Sequence, residues 1–412
     1  MCLVCRTKFI LRVGIGLEKV CEHTFDCPSC FTPITIEART AEPPIAWLEM
    51  KENIERIAEH AGATVVINLH PSFAFRLDEY HSPFAFASMQ AGRLIHPHAR
   101  VPASSRFSDV ALHFEVPQTT QIWPIVKNVL TLAVKGDPAQ VLQTQVARYE
   151  NSRREFKPDF QCKTAFKTAA SFFDDIFFPA IGKFRSPLRQ FAKNQKSTNE
   201  AEFRRLIEFY SSELAQQNFD QYLSTFTDYF KYFDHFRQVL AHARVGDEAV
   251  DDLVVGSKRF DDIKLYYGQA YETLTSAYTL LAVLFNLSQG RAFDQFSSMT
   301  LKKYISDVEK AKRSNPFMGV PDLASFTRFD DSALRNGSHH ASIWRDRELI
   351  KFRSGGTGAE REMSFSRYLH TCNGITIALA ALFLVELEFT SPIGARAVNA
   401  RNGEDSQETS SK

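Results

Sequence analysis

Two short segments decide how the chain begins to fold: Cys2-Leu3-Val4-Cys5 and Cys27-Pro28-Ser29-Cys30. In each segment two residues separate a pair of cysteines, so that a tight turn lets both thiolates face one metal ion. Zinc favours four such soft ligands in a tetrahedron, which leaves no open position for catalysis. The pattern therefore predicts a structural Zn²⁺ site formed by Cys2, Cys5, Cys27 and Cys30.

One ligand position has two alternatives. Cys2 lies next to the start of the chain, and Cys21 and His23 are near enough in sequence to replace it. Both residue types bind zinc as readily as the predicted ligand does. The sequence alone leaves this choice open.

The residues around these cysteines alternate in the way that short strands do. Phe9 to Leu17 is apolar around two glycines, and Phe31 to Ile36 alternates isoleucine with threonine. Strand pairs that carry such turns resemble a zinc ribbon, and Phe25 to Cys30 is similar to the second knuckle of that family. We therefore expect a zinc ribbon over residues 1–40.

Composition describes an ordered globular protein with more than one domain. The chain has 412 residues, of which 44% are hydrophobic and 24% are charged, and this length exceeds what one core usually serves. The formal net charge of +1 gives no global attraction to nucleic acid or to anionic membranes. Any such binding must come from a local patch.

The most apolar stretches predict buried helices rather than membrane spans. Tyr278 to Leu287 and Ile375 to Val385 are both shorter than the roughly 18 to 20 residues that cross a bilayer. The chain start lacks the pattern of a secretory signal, and the clustered cysteines suit a reducing compartment. We expect a cytoplasmic protein with no membrane association.

Hydrophobic periodicity predicts a multidomain, mainly α protein. Trp47 to His60 has helical spacing, whereas Thr64 to Ile67 and Val110 to Phe114 have the composition of strands. The predicted layout is a zinc ribbon at 1–40, a small mixed α/β region at 41–120, a helical region at 121–257, a helical domain at 258–392 and a disordered tail at 393–412.

Long helices dominate the last two thirds of the chain. Apolar and aromatic residues recur every three or four positions from Phe219 to Leu240, a stripe that is typical of a helical core. Further helices are predicted at Glu200–Leu214, Phe260–Leu287, Thr300–Ala311, Asp330–Trp344 and Ser364–Phe389.

A polar cluster lies on one of these predicted helices. The cluster consists of Arg335, Asn336, His339 and His340, which fall within an arc of about 140° on a helix. Leu334, Gly337, Ala341 and Trp344 are predicted on the opposite side, where they can pack against another helix. An Arg guanidinium can hold a phosphate, and a His can move the proton of an attacking or leaving hydroxyl.

The spacing of Arg335 and His340, with Asn336 directly after the arginine, resembles the RxxxxH motif of the HEPN superfamily. The predicted long apolar helix after a short loop is similar to the family arrangement. The resemblance implies metal-independent RNA cleavage by two protomers that bring their motifs together. It assigns phosphate binding to Arg335, acid or base catalysis to His340 and an orienting role to Asn336, while His339 is a candidate second proton carrier.

The resemblance therefore predicts a HEPN-type endoribonuclease that leaves 2′,3′-cyclic phosphate ends. It further implies RNA as the substrate, a homodimer formed through the C-terminal helical domain, and service as a toxin or as an abortive-infection defence against phage. The alternative is a nonenzymatic interaction or nucleic-acid-binding protein. In that case the same four side chains form a satisfied polar network at a helix interface.

Overall fold

The computed structural model describes residues 1–42, 45–58, 62–63, 65–99, 115–136, 138–256, 259–339, 342–353 and 358–390. About 57% of the chain is helical, which confirms the prediction of a mainly α protein. The chain divides into two compact units, each assembled from separated stretches. Unit 1 consists of Met1–Gln118, Tyr229–Gly268 and Ser332–Gly374, and unit 2 of Thr119–Asp228, Gln269–Asp331 and Ile375–Lys412. The predicted segment 258–392 contributes to both units, and the predicted domain boundaries stay predictions.

The described strands all belong to unit 1. They are β1 (Phe9–Val13), β2 (Val20–Asp26), β3 (Pro33–Thr40), β4 (Ala46–Glu52), β5 (Val65–Leu69), β6 (Phe75–Arg76), β7 (Leu253–Val254), β8 (Ile343–Asp346), β9 (Leu349–Arg353) and β10 (Glu360–Ser364). Strands β2, β3 and β4 form one antiparallel sheet, and β8, β9 and β10 form another. Strand β1 pairs in parallel with β5, and β6 pairs with β7.

The strands predicted around the cysteines are present, but their pairing differs from the expected ribbon. The second cysteine pair lies in the turn between β2 and β3, as predicted. The first pair precedes β1, and β1 pairs with β5, a strand outside the first forty residues. The local pattern predicted β1 and β3, whereas their partners depend on contacts that the pattern does not contain.

The helix predicted from Trp47 to His60 is wrong. Residues Ala46–Glu52 form β4 instead, in antiparallel register with β3 from Thr40↔Ala46 to Thr35↔Glu52. Leu48 and Met50 pack against the core of unit 1 from alternate positions of this strand, as the period of a strand requires. Pairing with β3 therefore overrode a helical spacing that rested on few apolar residues. The strand predicted at Thr64–Ile67 is confirmed as β5, and the one predicted at Val110–Phe114 lies outside the described residues.

The small core of unit 1 includes two of the predicted metal ligands. Cys2 and Cys27 are fully buried beside Phe25 and Ile36. Phe9, Leu11 and Leu48 are partly buried around the same cluster. The start of the chain is therefore an integral part of this unit.

Helices supply the rest of both units. They are α1 (Leu77–Tyr80), α2 (Ala87–Leu94), α3 (Thr119–Lys135), α4 (Ala139–Arg154), α5 (Ala165–Phe177), α6 (Ala180–Thr198), α7 (Glu200–Glu213), α8 (Ala215–Lys231), α9 (Phe233–Val245), α10 (Phe260–Ser288), α11 (Leu301–Asp307), α12 (Pro321–Thr327), α13 (Ser332–His339) and α14 (Phe365–Thr390). The predicted bounds of α7, α10 and α14 agree with these to within one residue. Helix α11 ends earlier than the predicted Ala311. The predicted tail at 393–412 lies outside the described residues.

The aromatic stripe from Phe219 to Leu240 is buried as predicted. Its members lie on α8 and α9 and are each less than 9% exposed: Phe219, Tyr222, Leu223, Phe226, Tyr229, Phe230, Phe233, Phe236, Val239 and Leu240. Burial of so many large side chains is the main stabilising term for helices of this kind.

The C-terminal helix α14 is long and apolar enough to cross a membrane by length and composition. However, 89% of its most apolar window is buried inside the protein, as in the core helix of a soluble protein. Ser364 begins the helix by accepting a hydrogen bond from the backbone N–H of Arg367 at 3.1 Å, a common cap. The predicted buried helix is confirmed, and it is longer than its most apolar segment indicated.

One carboxyl group is buried in unit 2. Glu386 of α14 is 5% exposed and accepts hydrogen bonds from the hydroxyls of Tyr210 and Tyr222, the latter at 2.6 Å. Burial raises the pKa of Glu386 to about 7, although the two hydrogen bonds oppose that shift. The carboxyl group is therefore neutral in the folded protein at mildly acidic pH.

This pKa makes stability depend on pH. Between about pH 4.5 and 7 the folded protein holds a proton on Glu386 that the unfolded chain releases, so the contribution to the free energy of unfolding falls as pH rises. The loss is at most about 3 kcal/mol. We expect the Glu386→Gln variant to lose this dependence, so that its stability relative to wild type increases from pH 5 to pH 8 in urea unfolding.

The exposed Glu213 at the end of α7 provides the matched control. Glu213→Gln should follow the wild-type curve at a constant offset. Parallel curves for wild type and Glu386→Gln would show that the buried carboxyl group does not titrate in this range.

Candidate functional site

The structure brings the four predicted cysteines together. The sulfur atoms of Cys2, Cys5, Cys27 and Cys30 all lie within 4.8 Å of one another. The Sγ atoms of Cys2 and Cys30 are 3.8 Å apart, and those of Cys5 and Cys27 are 3.6 Å apart. A tetrahedral thiolate site with metal–sulfur bonds of about 2.3 Å has sulfur atoms about 3.8 Å apart. The spacing fits one metal ion and is far too long for disulfide bonds.

The two cysteine pairs have the same backbone geometry. In the first, the N–H of Cys2 donates to the carbonyl of Thr7 at 3.0 Å, and the N–H of Cys27 makes the equivalent bond to Thr32 at 2.9 Å. In both, the residue after the second cysteine donates back to the carbonyl of the first cysteine, at 3.1 and 3.0 Å. The site is therefore built from two copies of one turn.

Each turn forces a residue other than glycine into the left-handed region. Arg6 has a φ of 62° and Phe31 a φ of 59°, which is unfavourable for a bulky side chain. The surrounding hydrogen bonds and the shared sulfur cluster hold these residues in place. The turn geometry is therefore imposed by the site rather than preferred by its sequence.

Threonine hydroxyls lower the pKa values of two of the thiols. The Cys5 sulfur lies 3.1 Å from the hydroxyl of Thr7, and hydrogen bonding from Thr7 lowers the pKa of Cys5 to about 6. Thr32 similarly lowers the pKa of Cys30, whereas burial raises the pKa of Cys27 to about 12. Thiolates are the forms that bind metals, so the two threonines favour metal binding.

The alternative ligands lie outside the cluster. Cys21 is buried on β2, with its thiol directed at the carbonyl of Glu22 at 3.9 Å. His23 is also fully buried, and burial lowers the pKa of its imidazole to about 4. Among the described residues, the group that could hold a metal ion is the four-cysteine cluster with Cys2.

The predicted polar motif is only partly described. Arg335 and Asn336 lie side by side on α13, both half-buried, and Arg335 Nη1 donates to Asn336 Oδ1 at 2.9 Å. His340 lies outside the described residues. Of His339 the backbone alone is described, as the last residue of α13. The assignment of all four residues to a catalytic site therefore stays a prediction.

Helix α13 is shorter than predicted, because the chain enters β8 at Ile343. The N–H of Ser342 donates to the carbonyl of Gly337 at 3.1 Å and ends the helix. Ile343 is buried as the first residue of β8. Trp344 is 39% exposed on the same strand and does not belong to the apolar face of α13.

The apolar side of α13 packs on the sheet that follows it. Leu334 is buried, and a Cβ atom at Gly337 would lie 3.2 Å from Cβ of Phe352 and 3.6 Å from Cβ of Ile343. Glycine thus allows a close approach of helix and sheet. The predicted packing role of Leu334 and Gly337 is confirmed, with a sheet as the partner.

The same sheet contacts the second cysteine turn. Arg345 of β8 lies 3.4 Å from both carboxylate oxygens of Asp26, the residue before Cys27. The guanidinium of Arg347 lies 4.1 Å from the centre of the Phe31 ring, within the range of a cation–π interaction. These contacts connect the cysteine cluster to the sheet on which α13 packs, all within unit 1.

Sequence reasoning missed Arg345 and Arg347. Asp26 and Arg345 are separated by 319 positions in the chain, and Arg345 belongs to no motif. The sequence feature that could have pointed to this contact is the position of Asp26 directly before Cys27, a predicted metal ligand.

No protein-family model, curated protein or solved structure matches this chain. Its function has to be inferred from its own residues.

The sulfur cluster predicts a bound metal ion. Purified wild-type protein should contain about one metal ion per chain under reducing conditions, measured by inductively coupled plasma mass spectrometry. Cys27→Ser should lose the ion and lower the melting temperature, because Cys27 also belongs to the core of unit 1.

Cys162 provides a matched control for the loss of a buried thiol. Its sulfur lies 3.1 Å from the hydroxyl of Thr168 in unit 2, so Cys162→Ser should retain the metal ion. Metal-free wild-type protein would contradict the site.

Proposed function

We propose that the protein is a metal-independent endoribonuclease of the HEPN type. The observation that carries the proposal is the pair of Arg335 and Asn336, joined by a hydrogen bond on the short helix α13. The long apolar helix α14 comes after this helix in the chain, as the family resemblance implies, and the strands β8, β9 and β10 lie where the resemblance implies a short loop. The finer layout, with a zinc ribbon at the start and a HEPN-like segment at 258–392, belongs to the same proposal.

The hydrogen bond to Asn336 fixes the orientation of the Arg335 guanidinium. A fixed guanidinium can hold a phosphate through two parallel N–H donors and stabilise the charge that develops on the phosphate oxygens. Lysine lacks this planar arrangement. Arg335 is therefore suited to bind the scissile phosphate, with Asn336 as its orienting partner.

The proposed reaction uses the nucleophile that RNA itself provides. The 2′-oxygen attacks the adjacent phosphorus, its proton passes to a base, and the bond from phosphorus to the 5′-oxygen breaks. The 5′-oxygen takes a proton and leaves as a hydroxyl, and the other end becomes a 2′,3′-cyclic phosphate. His340 would carry one of these protons, and His339 is a candidate for the other.

In this proposal the metal ion is Zn²⁺ with a structural role. Four thiolates close its coordination shell, so it folds the module and takes no part in the chemistry. Near its second cysteine turn, Asp26 contacts Arg345 of β8, and Phe31 contacts Arg347 in the turn between β8 and β9. Zinc would then support the sheet against which the motif helix packs.

The proposal extends to partners and setting. RNA is the substrate, and two copies of the chain bring their motifs together through the C-terminal helical segment in a cytoplasmic homodimer. The corresponding biological role is that of a toxin or of an abortive-infection defence effector against phage.

One observation also favours a second candidate function. The hydrogen bond between Arg335 and Asn336 is what a polar pair with a purely structural role at a helix surface would form. A nonenzymatic interaction protein would use the same residues for stability.

Incubation with RNA separates the two candidates. With EDTA present, wild-type protein should cleave a pool of single-stranded and transfer RNA and leave cyclic phosphate ends. Arg335→Ala and His340→Ala should each cleave at least about 100-fold more slowly, since each removes transition-state stabilisation or proton transfer. End-group analysis of the products measures the chemistry.

Two exposed residues provide controls. His98→Ala and Arg204→Ala remove the same side-chain types from exposed positions and should keep wild-type cleavage rates. Folded Arg335→Ala and His340→Ala proteins with unchanged activity would refute the assignment. Unfolding of both variants, with no cleavage by wild type, would favour the structural role.

A further inference from the structure

A cleft in unit 1 is bordered by strands from two different sheets. It has a volume of 390 Å³, and ligand sites occupy about 300 to 1,000 Å³. Its lining includes residues 9–11 of β1 together with Trp47, Leu48 and Met50 of β4. Strand β1 belongs to a two-stranded sheet with β5, whereas β4 ends the sheet of β2, β3 and β4.

Each of these two strands has one edge without a partner strand. Among the described strands, β1 pairs with β5 alone and β4 pairs with β3 alone. Within the described part of the chain, residues 9–11 and 47–50 form no main-chain hydrogen bond outside these pairings. Alternate N–H and C=O groups of an edge strand point away from its partner. Both strands therefore carry main-chain donors and acceptors with which another strand can pair.

Residues from both faces of each strand line the cleft. Ile10 and Trp47 are 40% and 45% exposed. The lining residues that alternate with them pack against the core cluster of unit 1: Phe9, Leu11, Leu48 and Met50. The two faces of a strand meet at its edges, and one edge of each strand is covered by β5 or β3. The cleft therefore follows the uncovered edges of β1 and β4.

Most residues that line the cleft are apolar. The indole N–H of Trp47 donates to the carboxylate of Glu49 at 3.5 Å, so the faces of the ring remain as apolar surface. Glu55, the one carboxylate in the lining, forms an ion pair with Arg6 at 3.1 Å. The cleft thus combines unpaired main-chain groups with exposed apolar side chains.

We propose that this cleft binds an extended segment of a partner protein, which adds as a strand to a free edge of β1 or β4. The segment carries apolar side chains at alternate positions, because successive side chains of a strand point to opposite faces. In strand addition, main-chain hydrogen bonds supply affinity, and pockets for alternate side chains supply specificity. This interaction goes beyond the proposed function and involves no RNA.

The observations favour a peptide over a small apolar molecule. An apolar molecule would cover the strand edges without replacing the hydrogen bonds that their N–H and C=O groups make with water, which costs free energy. A peptide supplies those hydrogen bonds from its own main chain. An extended segment also suits a concave site better than a second folded copy does, since two sheets pair edge to edge through flat, exposed strands.

Amide hydrogen exchange of the full-length protein tests the proposal. The probe is a set of octapeptides in which valine or isoleucine alternates with threonine, and binding is first measured by the fluorescence anisotropy of a fluorescein label. A bound peptide should slow exchange in β1, in β4 or in both, because pairing replaces water at their amides. Strand β10, an edge strand of another sheet, should exchange at an unchanged rate.

Methylated peptides test whether the main chain is recognised. Methylation of every second peptide nitrogen keeps the side chains but removes the N–H donors along one edge of the peptide. Of the two alternately methylated forms, at least one should bind about 10-fold more weakly than the parent peptide. Equal affinity of the parent and both methylated forms would overturn strand addition.

A charged residue in the cleft tests the location. Ile10→Lys should weaken peptide binding at least about 10-fold, because lysine on an edge strand opposes pairing and its charge would be covered. Val20→Lys is the matched control, since Val20 is a similarly exposed residue of β2, at 46%, and does not line the cleft. Trp47→Ala provides a second variant at the cleft, and melting temperatures show which variants are folded.

Three results would overturn the proposal. One is the absence of binding by wild type to every octapeptide. Another is peptide affinity that is equal in folded Ile10→Lys or Trp47→Ala and in Val20→Lys. The third is slower exchange in β1 and β4 when the protein alone is concentrated, with no effect of peptide, which would assign the cleft to a second copy of the chain.

Discussion

The spacing of four sulfur atoms is the constraint on which unit 1 depends. It joins the first turn of the chain to the turn between β2 and β3, and two of its members, Cys2 and Cys27, are fully buried in the hydrophobic core. From the second turn, Asp26 and Phe31 reach the sheet of β8, β9 and β10. A change at the cysteine cluster would therefore affect core packing as well as the chain start.

The candidate active site depends on this support. Arg335 lies on a helix of only eight residues, which has little stability of its own. Packing against β8 and β9 and the hydrogen bond to Asn336 hold the guanidinium in one orientation. Such preorganisation is what phosphate binding and transition-state stabilisation require. The cysteine cluster and the motif helix are far apart in sequence, but both contact the sheet of β8, β9 and β10.

How much the sequence could predict depended on the range of the contacts involved. The cysteine cluster was predictable because each cysteine pair lies within one turn, and α7, α10 and α14 were predictable because their periodicity is long. Strand β4 was predicted as a helix because its pairing with β3 is absent from its own pattern. Helix α13 was predicted too long because β8 pairs with β9, and the link from Arg345 to Asp26 spans most of the chain.

The close approach at Gly337 has a consequence for the history of this protein. A Cβ atom there would lie 3.2 Å from the Cβ atom of Phe352, so a side chain at position 337 would push the helix away from the sheet by a few tenths of an ångström. A smaller residue at position 352 would not relieve this contact, because every residue except glycine has a Cβ atom. We therefore expect glycine to persist at position 337 among relatives, which offers a way to recognise distant members when overall sequence similarity has been lost.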